Sequence, residues 1–150
     1  MRIVLTTVLN ASVTIDGQIV GQIDRGFCLL VGFTHNDTKE IVDKMIDKML
    51  SLRVFTDENG LTNLSLYDVK GQILSVSQFT LYADLAKGRR PSFINAMKPD
   101  GAKAMYEYFN MELETKFGPI AKGVFGADMK VSSVNDGPFT VIMDSEELFK

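Results

Sequence analysis

The chain has little of the side-chain chemistry that most enzymes use. Its 150 residues include one cysteine and one histidine. The single cysteine, Cys28, excludes an internal disulfide, and its place in the apolar run 27–31 predicts a core residue rather than a reactive thiol. The single histidine, His35, lies well apart from Cys28 along the chain, so the two give no metal-ligand spacing.

Other familiar site motifs are absent as well. The sequence contains no P-loop, no dinucleotide-binding fingerprint, no nucleophile elbow and no Ser-His-Asp set. Its carboxylates are scattered or lie on helix faces, so no pair stands out for acid–base work. We therefore expect neither a metal nor a cofactor. If the protein is an enzyme, its chemistry should rest on backbone groups, hydroxyls or the substrate itself.

Long apolar runs are also missing, and none approaches the ~20 residues that span a bilayer. Residues 1–5 are typical of a strand rather than of a signal peptide, which predicts a cytoplasmic protein without membrane contact. The formal net charge of −3 argues against broad nucleic-acid binding, DNA included. It leaves room for a local basic patch formed by Lys87, Arg89 and Arg90.

Apolar and β-branched patterning predicts many strands. They cover residues 3–9, 11–15, 18–23, 26–33, 53–56, 61–66, 72–82, 128–134 and 139–143. Asp16-Gly17 predicts a hairpin turn between the second and third of these, and the nearly continuous apolar run 26–33 predicts a strand buried on both faces.

Two helices are predicted between the strands. Asp37 is the expected cap of the first, with Glu40 three residues later, and its apolar stripe is Val42, Met45, Ile46 and Met49. The second begins at Pro99 or Asp100 and ends at Gly118-Pro119. Its apolar stripe is Ala102, Met105, Tyr106, Phe109, Leu113 and Phe117. Strands that do not alternate regularly with helices indicate a single α+β domain over residues 1–150.

Residues 135–140, Asn-Asp-Gly-Pro-Phe-Thr, join the last two predicted strands. Asp136-Gly137 favours an ordinary hairpin turn when these residues are taken alone. The alternative is a binding element, because a ligand can approach the Gly137 backbone closely and a cis bond to Pro138 would turn two carbonyls to the same side.

Residues 77–80 form a polar end to the predicted strand 72–82. Thr80 is the best nucleophile candidate among the side chains. A threonine hydroxyl is weak without an adjacent base, and the sequence offers none. The alternative role for this hydroxyl is a hydrogen bond to a neighbouring backbone group.

Together, residues 77–81 and 135–140 closely resemble the D-aminoacyl-tRNA deacylase family. Segments 11–17, 88–93 and 127–132 match it too, so the resemblance spans essentially the whole chain. It implies a barrel-like domain of mostly antiparallel or mixed sheet with two main helices, assembled as a homodimer. The implied activity is hydrolysis of the ester between a D-amino acid, or glycine, and the 3′ end of tRNA.

The resemblance also implies roles for particular residues. Gly137 and Pro138, joined by a cis bond and flanked by Asn135 and Thr140, would enter the partner subunit's pocket and exclude L-amino acids. The wall around the ester and the terminal adenosine would consist of Ser77, Gln78, Phe79 and Thr80. Either Thr80 or the ribose 2′-hydroxyl would assist the reaction. Phosphate contacts would come from Lys87, Arg89, Arg90 and Lys130, whose alternative role is surface solubility.

One stretch departs from the family pattern. The family usually has Gln-Arg where this chain has Thr6-Thr7, so an arginine that often lies near the site is missing. Two rival hypotheses stay open, and this departure favours only the first. One is a module that binds the tRNA end without hydrolysis, and the other is a related deacylase with relaxed chirality.

Overall fold

In the computed structural model, which describes residues 1–150, the two longest strands lie side by side. The strands are β1 (Arg2–Ile15), β2 (Gln18–Ile23), β3 (Gly26–Gly32), β4 (Arg53–Thr56), β5 (Thr62–Ser65), β6 (Gln72–Ser77), β7 (Ala121–Lys122) and β8 (Lys130–Asp144). The helices are α1 (Lys39–Leu50), α2 (Pro99–Phe117) and the short α3 (Ser145–Leu148), with a 3₁₀ helix at Phe79–Tyr82. None of the helices combines the length and apolar character that crossing a membrane requires.

The main sheet is mixed and nearly closes on itself. Its order is β2-β1-β3-β6-β7, and β8 pairs with β1. The β3–β6 and β6–β7 pairs are parallel, whereas β1 pairs antiparallel with β2, β3 and β8. The two end strands of this order, β2 and β7, lie close together. A Cβ on Gly21 of β2 would lie 3.0 Å from the carbonyl oxygen of Lys122 on β7. The predicted α+β, barrel-like fold is confirmed.

The central strand β3 is buried on both faces, as predicted. Phe27 and Leu29 belong to the larger core, which packs against α1 and α2, while Cys28 points into the smaller core with Leu74 and Val76. Alternating side chains of one strand thus fill two cores. Burial raises the pKa of the Cys28 thiol to about 11, and its prediction as a core residue is confirmed.

The two predicted helices and the Asp16-Gly17 hairpin are present, but the predicted cap of α1 is wrong. Thr38 caps the helix by accepting a hydrogen bond from the Ile41 N–H. Asp37 instead accepts hydrogen bonds from the Met1 ammonium and, at 2.7 Å, from the Thr34 N–H. A buried ammonium needs a partner, and this carboxylate provides one.

Candidate functional site

The predicted strand 72–82 ends earlier than expected, and this break shapes the site. β6 stops at Ser77, whose pairing with Val31 is the last of the β3–β6 ladder. β3 itself ends at Gly32, so the next residues lack a ladder partner and wind into the 3₁₀ helix. Gly32 permits this close passage, because a Cβ there would lie only 2.8 Å from the Gln78 carbonyl oxygen.

The 3₁₀ helix borders a cavity of about 660 Å³. Such a volume lies within the range of small-molecule sites. Three of the four predicted wall residues line it, namely Ser77, Gln78 and Phe79. The opposite walls come from the loop before α2 and from the segment before β8. Those walls include Phe93, Met97, Lys98, Phe125, Asp128 and Met129. Most of the lining is apolar, so the cavity suits a ligand with large flat or aliphatic parts.

Thr80, the fourth predicted wall residue, is exposed and does not line the cavity. Its hydroxyl oxygen accepts a hydrogen bond from the Gln78 side-chain amide. The only histidine is engaged elsewhere, because His35 Nε2 lies 2.7 Å from the Ile94 carbonyl oxygen and donates to it. Neither contact gives Thr80 a base that could activate it.

Residues 135–140 do not form a hairpin turn, so that interpretation of Asp136-Gly137 is wrong. β8 runs through them without reversing, and both its halves pair with β1. The Gly137-Pro138 bond is cis, as the resemblance implied. Opposite β1, Thr6 pairs with Thr140 and Val8 with Asn135, so residues 136–139 bulge out of the ladder. We call residues 136–139 the bulge.

The bulge and the cavity are separate within one chain. Gly137 and Pro138 are exposed, and no residue of 135–140 lines the cavity. The fold thus brings Ser77, Gln78 and Phe79 together, and it places the second predicted stretch elsewhere on the surface. The two predicted stretches therefore do not share one cavity within a single chain.

The predicted basic residues occupy two exposed places. Lys87, Arg89 and Arg90 lie in the loop between Asp84 and Ser92, which bridge its ends. None of these three cations forms a salt bridge within the chain. Lys130, by contrast, pairs with Asp128 at 2.9 Å. The loop cations are the ones left available for an external anion.

Several cavity residues carried no assigned role at the level of sequence. Phe93 meets Phe79 edge to face, and Lys98 stands immediately before Pro99 at the start of α2. Phe125 comes from the glycine-rich stretch 121–127, and Met129 comes from the predicted strand 128–134. The sequence around these two residues gives little indication of a site, because they reach the cavity through contacts with residues distant along the chain. The available cue was the resemblance, because Phe93 and Met129 lie in the segments 88–93 and 127–132 that match the family.

Tyr82 anchors the end of the 3₁₀ helix. Its ring is buried beneath the Arg2 guanidinium, which lies 4.6 Å from the ring centroid. Burial raises the pKa of the Tyr82 phenol above its ordinary value. The ring therefore remains a neutral anchor that fixes the cavity wall formed by the preceding residues.

The chain matches a protein family and named relatives over nearly its whole length. Residues 4–144 match the family described as D-Tyr-tRNA(Tyr) deacylase. The D-aminoacyl-tRNA deacylase of Bacillus cytotoxicus is 54% identical over 97% of this chain and all of the relative. The protein of the same name from Lactobacillus gasseri is 55% identical over 96% of this chain and 99% of the relative.

Two solved structures share the fold. One, titled c-Myc DNA Unwinding Element Binding Protein, superposes with a TM-score of 0.91 at 40% identity and covers 96% of this chain and 98% of its own. The other, a probable eukaryotic D-amino acid tRNA deacylase, has a TM-score of 0.81 at 19% identity and covers 95% of this chain and 97% of its own. The match over almost the whole length shows that the chain belongs to the D-Tyr-tRNA(Tyr) deacylase family.

Proposed function

We propose that this protein hydrolyses the ester bond between a D-amino acid and the 3′ end of tRNA. The observation that carries the proposal is the cavity lined by Ser77, Gln78 and Phe79 in a chain of this family. Its volume accommodates an adenosine together with an amino acid, and its aromatic residues offer stacking surfaces for a base. Glycyl-tRNA is a second expected substrate, because glycine carries no side chain that could be excluded.

Selectivity against L-amino acids rests on the bulge of a partner subunit. The carbonyl oxygens of Gly137 and Pro138 would meet the α-amino group of the substrate in the partner's cavity. An L side chain would then collide with the backbone, so rejection would come from steric exclusion. The bulge is exposed and lies outside its own cavity, which supports a role across subunits.

The partner is a second copy of the chain. Exposed apolar side chains occur on both long strands near the bulge, at Leu9, Val134 and Ile142. The outer edge of β8 has no strand beside it. An unpaired edge and exposed apolar side chains both favour association. A homodimer would cover them and bring each bulge to the other subunit's cavity.

The 2′-hydroxyl of the substrate assists the reaction in place of a basic side chain of the protein. Water attacks the ester carbonyl carbon, and the 2′-hydroxyl of the terminal ribose orients that water and relays its proton. The carbon–oxygen bond then breaks, and the 3′-oxygen leaves as a hydroxyl. The N–H groups of Phe79 and Thr80 begin the 3₁₀ helix, where the first donors lack helical partners. They are suited to stabilise the developing oxyanion.

The tRNA acceptor end is gripped through phosphates. Lys87, Arg89 and Arg90 are exposed and carry no internal ion pair, so they contribute more than Lys130, which Asp128 already neutralises. Few cations give a shallow dependence on salt. We expect weaker binding to single-stranded DNA of equal length, which lacks the terminal aminoacyl ester.

The direct test is incubation with D-Tyr-tRNA and L-Tyr-tRNA. The proposal predicts rapid loss of the D-ester with the L-ester preserved. Binding without turnover of either ester would favour the non-catalytic module, and rapid loss of both would favour the chirality-relaxed deacylase. Replacing the terminal adenosine by 2′-deoxyadenosine should abolish turnover but retain binding, whereas unchanged turnover would exclude assistance by the 2′-hydroxyl.

The cross-subunit site is tested by mixing two defective variants. Gly137→Ala damages the bulge and Phe79→Ala damages the cavity. If each site combines the cavity of one chain with the bulge of the other, a heterodimer regains one intact site. Random re-association of equal amounts then restores about a quarter of wild-type activity. No recovery, with heterodimers verified by mass spectrometry, would contradict the shared site.

A further inference from the structure

The bulge is inserted opposite a single residue of β1. Thr6 and Val8 pair with Thr140 and Asn135 of β8, which leaves Thr7 alone to face residues 136–139. Thr7 pairs on its other side with Phe27 of β3. It therefore sits on a central strand, held from both sides, directly beneath the most irregular part of β8.

Hydrogen bonds close the base of the bulge. The Asn135 side chain donates to the Thr140 hydroxyl oxygen at 3.0 Å and accepts from the Phe139 N–H at 2.9 Å. The Thr6 and Thr140 hydroxyls lie 3.3 Å apart and extend this chain to β1. These contacts fix where the bulge begins and ends, but none of them reaches the peptide that precedes Gly137.

Thr7 makes the contact to that peptide. Its hydroxyl donates to the Asp136 carbonyl oxygen at 3.0 Å, and the residue is only 3% exposed. The Asp136 carbonyl and the Gly137 N–H belong to the same planar unit, so this hydrogen bond fixes both. Gly137 itself has φ = +140° and no Cβ, and a glycine rotates freely unless its neighbouring peptides are held.

We propose that Thr7 is the positioning residue for chiral selection, because its hydroxyl sets the direction of the backbone carbonyls that meet the substrate's amino group. This inference rests on the proposed function. Thr7 touches no substrate and acts through Asp136 and Gly137. Loss of its hydroxyl should leave the fold intact and let the bulge rotate, so that L-esters are excluded less strictly.

The test compares Thr7→Val, which keeps the shape and removes the hydroxyl, with Thr7→Ser, which keeps the hydroxyl. Thr14→Val is the matched control, because Thr14 lies on the same strand and also pairs with β8, and its hydroxyl forms no hydrogen bond in the structure. Each variant is assayed for kcat/KM on D-Tyr-tRNA and L-Tyr-tRNA and for amide hydrogen exchange at Phe139, whose N–H donates to the Asn135 side chain. If Thr7→Val does not fold, Thr7→Ala replaces it.

For Thr7→Val we expect the D-over-L ratio of kcat/KM to fall about tenfold, the size of effect that one hydrogen bond carries. Exchange at the Phe139 N–H should quicken by a similar factor, while Thr7→Ser and Thr14→Val stay near wild type. An unchanged ratio in Thr7→Val, or an equal loss in Thr14→Val, would overturn the inference.

Failure of the proposed function has a different signature, namely a wild-type protein that leaves the D-ester intact. In that case the proposed role of Thr7 in chiral selection would be wrong as well. Hydrogen exchange would still decide whether Thr7 restrains the bulge, since unchanged exchange at Phe139 in Thr7→Val would overturn that restraint too.

Discussion

The rings of Phe79 and Phe93 meet edge to face, with centroids 4.9 Å apart and planes inclined at 63°. They come from the 3₁₀ helix and from the loop before α2, and they are 52% and 40% exposed. Two large rings this exposed on a cavity wall leave substantial aromatic surface for a ligand. Their contact also ties the loop to the end of β6.

We expect Phe93→Ala to raise the KM for D-Tyr-tRNA about tenfold, because stacking on an aromatic ring stabilises a bound base by about 1–3 kcal/mol. The effect on kcat should be small, since stacking on the base is the same in the bound substrate and in the transition state. Tyr67→Ala is the control, because Tyr67 is 52% exposed and packs on Phe117 away from the cavity. Steady-state kinetics of both variants check the prediction, and equal KM changes would contradict it.

Thr80→Ala is expected to keep at least about a third of the wild-type kcat/KM, because an unactivated hydroxyl is a weak nucleophile. The lost interaction is the hydrogen bond from the Gln78 side chain. Single-turnover hydrolysis of D-Tyr-tRNA measures this directly. Loss of all activity in a variant whose circular dichroism is unchanged would show that the hydroxyl takes part in the reaction.

Gly137→Ala should reduce D-ester hydrolysis by at least about tenfold while the protein stays folded. At φ = +140° a new Cβ would lie 2.9 Å from the Phe139 N, and strain of this kind costs about 1–3 kcal/mol. The bulge would relieve it by moving, which displaces the proposed carbonyls.

The control for that variant is Gly60→Ala, at a glycine with φ = +77° and open space around it, in the turn between β4 and β5. We expect both variants to lower the thermal midpoint by similar small amounts, and only Gly137→Ala to lose activity. A Gly137→Ala protein that is unfolded at 25 °C would mean that the glycine serves the fold instead.

Acid should weaken the fold through the junction of β1 and β8. Burial by itself raises the pKa of Asp144, but hydrogen bonds from Arg2 and the Glu146 N–H outweigh it and hold the pKa below its ordinary value. A carboxyl whose folded pKa is depressed stabilises the protein above its unfolded pKa. That stability is lost as the pH falls through the folded value.

Asp144→Asn should therefore lower the free energy of unfolding at pH 7 by about 1 kcal/mol, a modest figure because Arg2 is partly exposed and solvent screens the pair. The difference between the variant and wild type should shrink as the pH falls below about 4, where an ordinary aspartate becomes protonated. Urea unfolding at several pH values measures it. A difference that stays constant down to pH 2 would contradict this account.

The sequence by itself determined the local elements, because their signals lie within a few neighbouring residues. Asp16-Gly17 made a hairpin, the stripe through Val42 and Met49 made α1, and Pro99 began α2. The two stretches that resemble the family, 77–81 and 135–140, predicted three residues of the cavity wall, Ser77, Gln78 and Phe79, and the cis bond between Gly137 and Pro138.

Only the tertiary structure decided how those components are arranged, because each outcome depends on a partner distant along the chain. The Met1 ammonium drew Asp37 away from the helix cap. The end of β3 stopped β6 and turned Phe79 into the cavity. Pairing with β1 kept β8 continuous and lifted Gly137 into a bulge. No local sequence pattern encodes strand partners and buried charges of this kind. Strand pairing places the cavity and the bulge apart within a single chain.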